Sequence, residues 1–218
     1  MIKGIIFDLD GTLLESMHIW ETEASSYLTR LGYPPDPDTD AIMKEASIQD
    51  AAAYFQKRYG IPKSLDEIIY EINSELEDAY YRTIQPKAGV LDMLARLKEK
   101  GIRMVAATAT DRYLIEPCVK RLGIYDYFCG FFTCAEVGVG KSEPLIYHLA
   151  TEALGLEKSE VAIFEDALYA AHTAKNDGYY LVGIYDDSMK TRQDELKSIA
   201  DLYVERYDAF DVVAALPI

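Results

Sequence analysis

The sequence predicts a three-layer α/β fold: a Rossmann-like, mostly parallel sheet between two layers of helices, with an all-helical segment inserted. Two observations support this prediction. From about residue 85 onward, short apolar stretches alternate with helical patterns, and residues 16–84 show helical periodicity alone. Strands that are joined through helices form right-handed parallel crossovers. We therefore expect an α/β core of residues 1–15 and 85–218 and a helical cap domain of residues 16–84.

The first elements are a buried strand at residues 2–7 and an amphipathic helix. The helix is indicated by apolar residues at helical spacing, and Gly32 ends it; the apolar residues are Trp20, Ala24, Tyr27, Leu28 and Leu31. We expect Trp20, the single tryptophan, to pack inside the helical segment rather than to line a pocket.

Two capping sequences predict further helices in the same segment. Both SIQD (residues 47–50) and SLDE (residues 64–67) place a serine three residues before an acid. The second begins a long helix with a continuous apolar stripe, formed by Leu65, Ile68, Ile69, Ile72, Leu76, Ala79 and Tyr80. Such a stripe normally forms the core of a helix bundle.

After Pro86 strands and helices alternate. The predicted strands are residues 102–108, 130–134, 161–166, 179–185 and 201–204, and the predicted helices are residues 88–100, 111–123, 143–155 and a further one that ends near Gly178. In an open parallel sheet, ligands bind outside the C-terminal ends of the strands. Several polar residues of this sequence stand at such ends.

The composition excludes some classes of function. Against 37 acidic residues the chain has 22 Lys and Arg, a net charge of −15, which argues against a nucleic-acid interface. Its three cysteines, Cys118, Cys129 and Cys134, form no C-x-x-C pair, which favours a reduced cytoplasmic protein. The N-terminal apolar run is too short to predict a signal peptide or a membrane span. A small phosphorylated ligand remains compatible with this charge, because a divalent cation can bind it locally.

The strongest motif is DLDGTL, residues 8–13, directly after the first strand. Strand alternation sends the side chains of Asp8 and Asp10 to the same side, where two carboxylates repel unless they share a cation or a proton. Asp8 could then act as a nucleophile and Asp10 as a general acid and base. Gly11 permits a tight turn away from the strand.

Three other residues stand at the ends of different predicted strands: Thr108, Lys141 and Asp166. Each alone has an ordinary structural explanation, but together with Asp8 they lie at one edge of the predicted sheet. Phosphoryl transfer needs this combination, because it depends on positioning and on positive charge around the transferred group.

With these four motifs the sequence resembles the phosphohydrolases of the haloacid dehalogenase superfamily, of the type with a helical cap after the first strand. The resemblance covers nearly the whole chain. It implies that Asp8 forms an aspartyl-phosphate and that Lys141 neutralises the phosphoryl group. It also implies that the Thr108 hydroxyl and neighbouring backbone N–H groups, including that of Ala109, hold this group.

The same resemblance implies a Mg²⁺ ion bound by the side chains of Asp8 and Asp166 and by the backbone carbonyl of Asp10. Glu165 is a further candidate, as a metal ligand or as a hydrogen-bond acceptor beside the metal, although strand alternation directs it away from Asp166. In the helical segment, Lys44 is the candidate for a contact with the substrate.

We expect a Mg²⁺-dependent phosphatase acting on a small phosphorylated metabolite such as a sugar phosphate, as a monomer or weak homo-oligomer. A sugar phosphomutase of the β-phosphoglucomutase type is the main alternative. A non-catalytic module that binds a phosphorylated ligand is another. Residues 135–142 also match a relaxed P-loop, but Pro144 follows closely after Lys141, and a nucleotide-binding loop leaves Asp8 and Asp10 unexplained.

Overall fold

The computed structural model describes residues 1–40 and 48–218. Its centre is a sheet of six strands: β1 (Gly4–Phe7), β2 (Arg103–Thr108), β3 (Phe131–Thr133), β4 (Val161–Glu165), β5 (Tyr180–Ile184) and β6 (Leu202–Val204). The strand order is β3-β2-β1-β4-β5-β6, and every neighbouring pair is parallel. The predicted parallel α/β fold is confirmed. Because β1 lies between β2 and β4, the loops that follow these three strands meet at one edge.

The described helices are α1 (Met17–Trp20), α2 (Glu23–Arg30), α3 (Ile48–Tyr59), α4 (Leu65–Asp78), α5 (Val90–Glu99), α6 (Arg112–Arg121), α7 (Cys134–Val137), α8 (Leu145–Leu154), α9 (Leu168–Asn176), α10 (Gln193–Ile199) and α11 (Val212–Ala215). A π-helical turn, Ala79–Thr83, continues α4. Short 3₁₀ turns span Tyr125–Tyr127, Lys158–Glu160 and Asp187–Arg192. Across the described ranges, no helix is long and apolar enough to cross a membrane.

Two hydrophobic clusters cover the two faces of the sheet. On one face, side chains of α5, α6 and α11 pack with Phe7 and Phe164. On the other face, side chains of α8, α9 and α10 pack with Ile6 and Ile163. Alternate residues of β1 and β4 therefore enter opposite layers, as expected for strands that are buried on both faces.

Helices α1 to α4 belong to residues 16–84, which we call the helical insertion. The helical insertion has a cluster of its own, formed by Ala24, Tyr27, Leu28, Ala52, Phe55, Ile61, Ile68 and Ile72. The predicted start of α4 is confirmed by a reciprocal capping box: the Glu67 N–H donates to Ser64 Oγ at 3.3 Å, and the Ser64 N–H donates to Glu67 Oε2 at 2.8 Å. The other predicted capping residue, Ser47, lies outside the described residues.

The first predicted helix is divided in the structure. Its residues form α1 and α2, with a break at Glu21 and Thr22. In a continuous helix the backbone N–H of Ser25 would donate to the carbonyl of Glu21, but here it donates to Asp40 Oδ1 at 2.9 Å. This side-chain acceptor replaces one intrahelical hydrogen bond where the two helices separate.

The chain enters and leaves the helical insertion at neighbouring points. Leu14 pairs with Pro86, and the N–H of Glu15 donates to the carbonyl of Gln85 at 2.9 Å. The returning chain is fixed by Lys87, whose ammonium forms a buried ion pair with Asp186 at 2.8 Å. Both connections therefore lie close to the end of β1 and to the site described below.

Candidate active site

The DLDGTL segment turns sharply at the end of β1. The N–H of Asp8 still donates to the carbonyl of Phe164 at 3.0 Å, so its backbone continues the pairing with β4. Gly11 has a φ of +77°, and a Cβ at this position would collide with the Asp166 carboxylate. The close approach of Gly11 and Asp166 therefore requires glycine at this position.

A buried lysine in the connection after β3 links the loop that follows β1 to the last residue of β4. The Lys141 ammonium contacts Asp8 Oδ1 and lies 2.9 Å from Glu165 Oε2. Burial disfavours the charged form, yet the carboxylates of Asp8 and Glu165 raise the pKa of Lys141 well above its ordinary value. Lys141 is therefore a fixed positive charge beside Asp8.

The loop that contains Lys141 lacks the P-loop arrangement. Its lysine contacts Asp8, and the helix that follows, α8, begins only at Leu145.

Three buried acids form a cluster around the same point. Asp8, Glu165 and Asp166 each offer a carboxylate oxygen within 4.8 Å of those of the other two. Burial, together with Glu165 and Asp10, raises the pKa of Asp8 to about 8 although Lys141 opposes it. Burial and the neighbouring carboxylates also raise the pKa of Asp166 well above its ordinary value.

The acid cluster fits the implied Mg²⁺ ion. Oxygen ligands from carboxylates are the chemistry that this ion prefers, and a cation would offset the repulsion between the three acids. Asp166 is held in place by Thr12, whose hydroxyl donates to Oδ1 at 2.8 Å. Of the side chains predicted to bind metal, the structure therefore brings Asp8 and Asp166 together.

The Glu165 carboxylate lies closer to that of Asp166 than strand alternation predicts. Alternation stops at Glu165 because it is the last residue of β4, and the Asp166 carboxylate turns back toward the same point. Glu165 Oε1 accepts the Ala167 N–H at 3.1 Å, and Oε2 accepts from Lys141. Its geometry allows both predicted roles, as a metal ligand and as an acceptor that fixes Lys141.

The carboxylate of Asp10 accepts hydrogen bonds from two hydroxyl groups. Tyr80, in the π-helical turn, donates to Oδ1 at 2.7 Å, and Thr110 donates to Oδ2 at 2.7 Å. The indole N–H of Trp20 donates to the Tyr80 oxygen at 3.1 Å. Burial and Asp10 raise the pKa of Tyr80 well above its ordinary value, so the phenol keeps its proton. The C-terminal end of the helical insertion thus contacts Asp10 through Tyr80, and the N-terminal end reaches it indirectly, through the bond from Trp20 to Tyr80.

Sequence reasoning missed the roles of Tyr80 and Thr110. The spacing of Tyr80 predicts that it belongs to an apolar stripe. In the sequence, its polar role is indicated by a hydroxyl group at the end of that stripe. Thr110 stands two residues after Thr108, whose own hydroxyl accepts the Thr110 N–H at 3.1 Å. The expectation for Trp20 was wrong in part: it packs against hydrophobic residues, but it also lines the cavity.

A cavity of about 150 Å³ separates the sheet edge from the helical insertion. On the core side, Thr108, Ala109 and Lys141 line it together with Asp8 and Asp10. The lining from the helical insertion is largely apolar and includes Trp20, Ala24, Ile48, Phe55 and Ile72. Two acids that the sequence analysis did not select, Glu21 and Glu23, also line it. The predicted contact residue Lys44 lies outside the described residues.

Comparisons with known proteins identify related hydrolases. A model of haloacid dehalogenase-like hydrolases matches residues 2–176. The validoxylamine A 7′-phosphate phosphatase of Streptomyces hygroscopicus subsp. limoneus is 28% identical, over 84% of this chain and 86% of that protein. A phosphorylated carbohydrates phosphatase of Thermotoga maritima is 24% identical, over 81% and 82%. The solved structure of CbbY from Rhodobacter sphaeroides in complex with phosphate has a TM-score of 0.86 at 23% identity, with both chains fully covered.

Proposed function

The chain belongs to the haloacid dehalogenase-like hydrolase family and is an enzyme of the phosphatase class, and we propose that it hydrolyses a small phosphorylated metabolite through an aspartyl-phosphate on Asp8. One observation carries the proposal. The Asp8 carboxylate lies against the buried ammonium of Lys141 and beside two further buried acids, Glu165 and Asp166. A nucleophile, a cation for the phosphoryl oxygens and a set of metal-binding oxygens therefore lie at one point.

In the first step an Asp8 oxygen attacks the phosphorus atom, and the bond between phosphorus and the alcohol oxygen breaks. Asp10 gives its proton to the departing oxygen. Lys141, the Thr108 hydroxyl and the Ala109 N–H stabilise the negative charge on the phosphoryl group. When bound by Asp8, Asp166 and the Asp10 carbonyl, Mg²⁺ would neutralise further charge on the same oxygens.

In the second step Asp10 removes a proton from water, and the resulting hydroxide attacks the phosphorus atom. The bond to Asp8 breaks and inorganic phosphate leaves. The two hydroxyl groups at Asp10 suit both steps, because a hydroxyl donates to a carboxylate and accepts from a carboxylic acid. Tyr80 and Thr110 can therefore hold Asp10 in both of its protonation states.

We assign the helical insertion as the cap that covers the cavity and contacts the alcohol part of the substrate. The apolar lining of the cavity and its position between the sheet edge and the helical insertion support this assignment, since exclusion of water strengthens charge interactions at the reacting group. The relative that acts on phosphorylated carbohydrates favours a sugar phosphate as the substrate.

The proposal is tested by incubating the purified protein with sugar phosphates, nucleotides and phosphoglycolate, with Mg²⁺ or with a chelator. We expect free phosphate and the dephosphorylated alcohol in Mg²⁺ and a large loss of turnover in the chelator. An isomerised sugar phosphate without release of phosphate would instead identify a phosphomutase. Absence of turnover on every compound, with ligand binding unaffected by Asp8→Asn, would identify a non-catalytic binding module.

A further inference from the structure

Glu23 is the first residue of α2 and lines the cavity on the side of the helical insertion. Its Oε1 atom is buried and, among the residues that the structure describes, has no hydrogen-bond partner. A buried carboxylate oxygen without a donor is unfavourable, because it has lost its contacts with water and gained none in exchange. The position of Glu23 at the cavity allows a bound ligand to supply the missing donor.

The described residues around Glu23 compensate its charge only in part. Burial raises the pKa of Glu23 to about 7; Arg30 opposes this effect and Asp40 adds to it. Arg30 is on the same helix, but its guanidinium forms an ion pair with Glu75. A Glu in the first turn of a helix also interacts favourably with the helix dipole, but that interaction does not require a buried oxygen at a cavity.

We propose that Glu23 is a specificity residue that accepts a hydrogen bond from a hydroxyl or ammonium group on the alcohol part of the substrate. The inference rests on the proposed phosphatase function and narrows its substrate to a phosphomonoester that carries such a donor. The phosphoryl group lies at Lys141, and the rest of the molecule extends toward α2.

The charges of the described residues around the cavity favour a substrate with a single phosphate. Among the described residues that line it, Lys141 is the sole cation, and the charged side chains contributed by the helical insertion are Glu21 and Glu23. A second phosphate near these carboxylates would be repelled. The apolar surfaces of Trp20 and Phe55 suit the C–H faces of a sugar ring instead. The substrate class is therefore a singly phosphorylated sugar, polyol or amino sugar.

The test compares wild type, Glu23→Gln and a matched control, Glu77→Gln. The control removes an acid from α4 that does not line the cavity. The probes are glucose 6-phosphate, glucosamine 6-phosphate and glucose 1,6-bisphosphate, with p-nitrophenyl phosphate as a substrate that lacks the donor. Steady-state kinetics give KM and kcat, and calorimetry gives the dissociation constant of each sugar phosphate for the Asp8→Asn chain with and without Glu23→Gln.

For Glu23→Gln we expect KM for the donor-bearing monophosphates to rise about tenfold, as for the loss of a hydrogen bond to a charged group. Turnover of p-nitrophenyl phosphate should stay within about twofold, again on the scale of hydrogen-bond energies. A larger rise in KM for glucosamine 6-phosphate than for glucose 6-phosphate identifies an ammonium as the donor. Equal rises for the two compounds identify a hydroxyl. Glucose 1,6-bisphosphate should bind to wild type more weakly than the other two sugar phosphates. In Glu23→Gln this difference in affinity should become smaller.

Equal effects of Glu23→Gln on all four compounds, or no effect on any, would overturn the inference and leave Glu23 with a structural role. Failure of the proposed function has a different signature, because wild type would then hydrolyse none of the compounds. The calorimetric comparison still tests the Glu23 contact in that case, since it does not depend on turnover. Absence of sugar phosphate binding, or binding indifferent to Glu23→Gln, would also overturn the inference.

Discussion

The two sides of the cavity differ in how their buried polar groups are satisfied. On the core side, Lys141 contacts Asp8 and Glu165, and Thr12 donates to Asp166. On the side of the helical insertion, the described surface is mainly apolar, and Glu23 Oε1 has no hydrogen-bond partner within residues 1–40 and 48–218. Under our proposals, the groups for chemistry are arranged before the substrate binds, whereas recognition of the alcohol part is completed by the substrate itself.

The largest expected effect is that of Asp8→Asn on the core side. The amide is nearly the same size but cannot form the aspartyl-phosphate, so we expect kcat to fall by about 10⁴-fold or more, as for removal of other nucleophiles. The measurement is steady-state release of phosphate together with acid-quenched detection of a phosphorylated protein. Circular dichroism should be unchanged. Substantial activity in Asp8→Asn would exclude Asp8 as the nucleophile.

Lys141→Ala should have the next largest effect. One fixed donor to a developing charge is worth about 3–4 kcal/mol, so we expect kcat/KM to fall by roughly 10²–10³-fold. Binding of inorganic phosphate, measured by calorimetry, should weaken in parallel. The variant also leaves Asp8 and Glu165 without their cation, which predicts a lower Tm. Unchanged phosphate affinity would show that Lys141 holds the acids together without contacting the phosphoryl group.

The core side is also where the sequence was most informative. Periodicity identifies the strands that Asp8 and Asp166 follow and the strand that Thr108 ends, and parallel strands collect their C-terminal ends at one edge. Their proximity therefore follows from chain topology. The division of the first helix does not, because it depends on a hydrogen bond between Ser25 and Asp40 that no local pattern reveals.

The insertion side was harder to predict for the same reason. Tyr80 and Trp20 have the pattern of core residues, and their polar atoms meet only because two chain passages converge beside Asp10. Glu23 resembles any acid in a first helical turn. Its contact with the cavity depends on how α2 packs over the core, which side-chain periodicity alone does not determine.

Tyr80→Phe removes a hydrogen bond between the helical insertion and Asp10 on the core side. Removal of one hydroxyl leaves the packing nearly intact but takes a donor from Asp10, so we expect kcat to fall about 5–10-fold. Trp20→Phe, which affects Asp10 only through Tyr80, should have a smaller effect in the same direction.

These two variants distinguish positioning of Asp10 from general stabilisation. A merely structural role for Tyr80 would lower Tm without lowering kcat. An unchanged kcat in Tyr80→Phe, with Tm reduced, would therefore contradict the positioning role.

The smallest effect concerns the stability of the chain without ligand. The pKa of Glu23 is about 7 in the folded chain and 4.5 as its ordinary value, so the folded state binds more protons between these values. The contribution of Glu23 to the free energy of unfolding therefore decreases as pH rises through that range. Above pH 7 the ionised carboxylate destabilises the folded chain to its full extent. Glu23→Gln removes the charge, and we expect it to stabilise the chain at pH 8 but hardly at pH 4.

Glu23 is partly exposed to solvent, which weakens its charge interactions. For Glu23→Gln at pH 8 we therefore expect the free energy of unfolding to rise by about 1 kcal/mol, which corresponds to about 2–4 °C in Tm. Thermal unfolding at pH 4 and pH 8 measures it, with Glu77→Gln as the control that should show no comparable change between the two values. A lower Tm for Glu23→Gln at pH 8 would mean that the carboxylate is already satisfied. Higher stability together with weaker binding of sugar phosphates is the combination expected of a residue retained for recognition, because a purely structural acid would lose stability when its charge is removed.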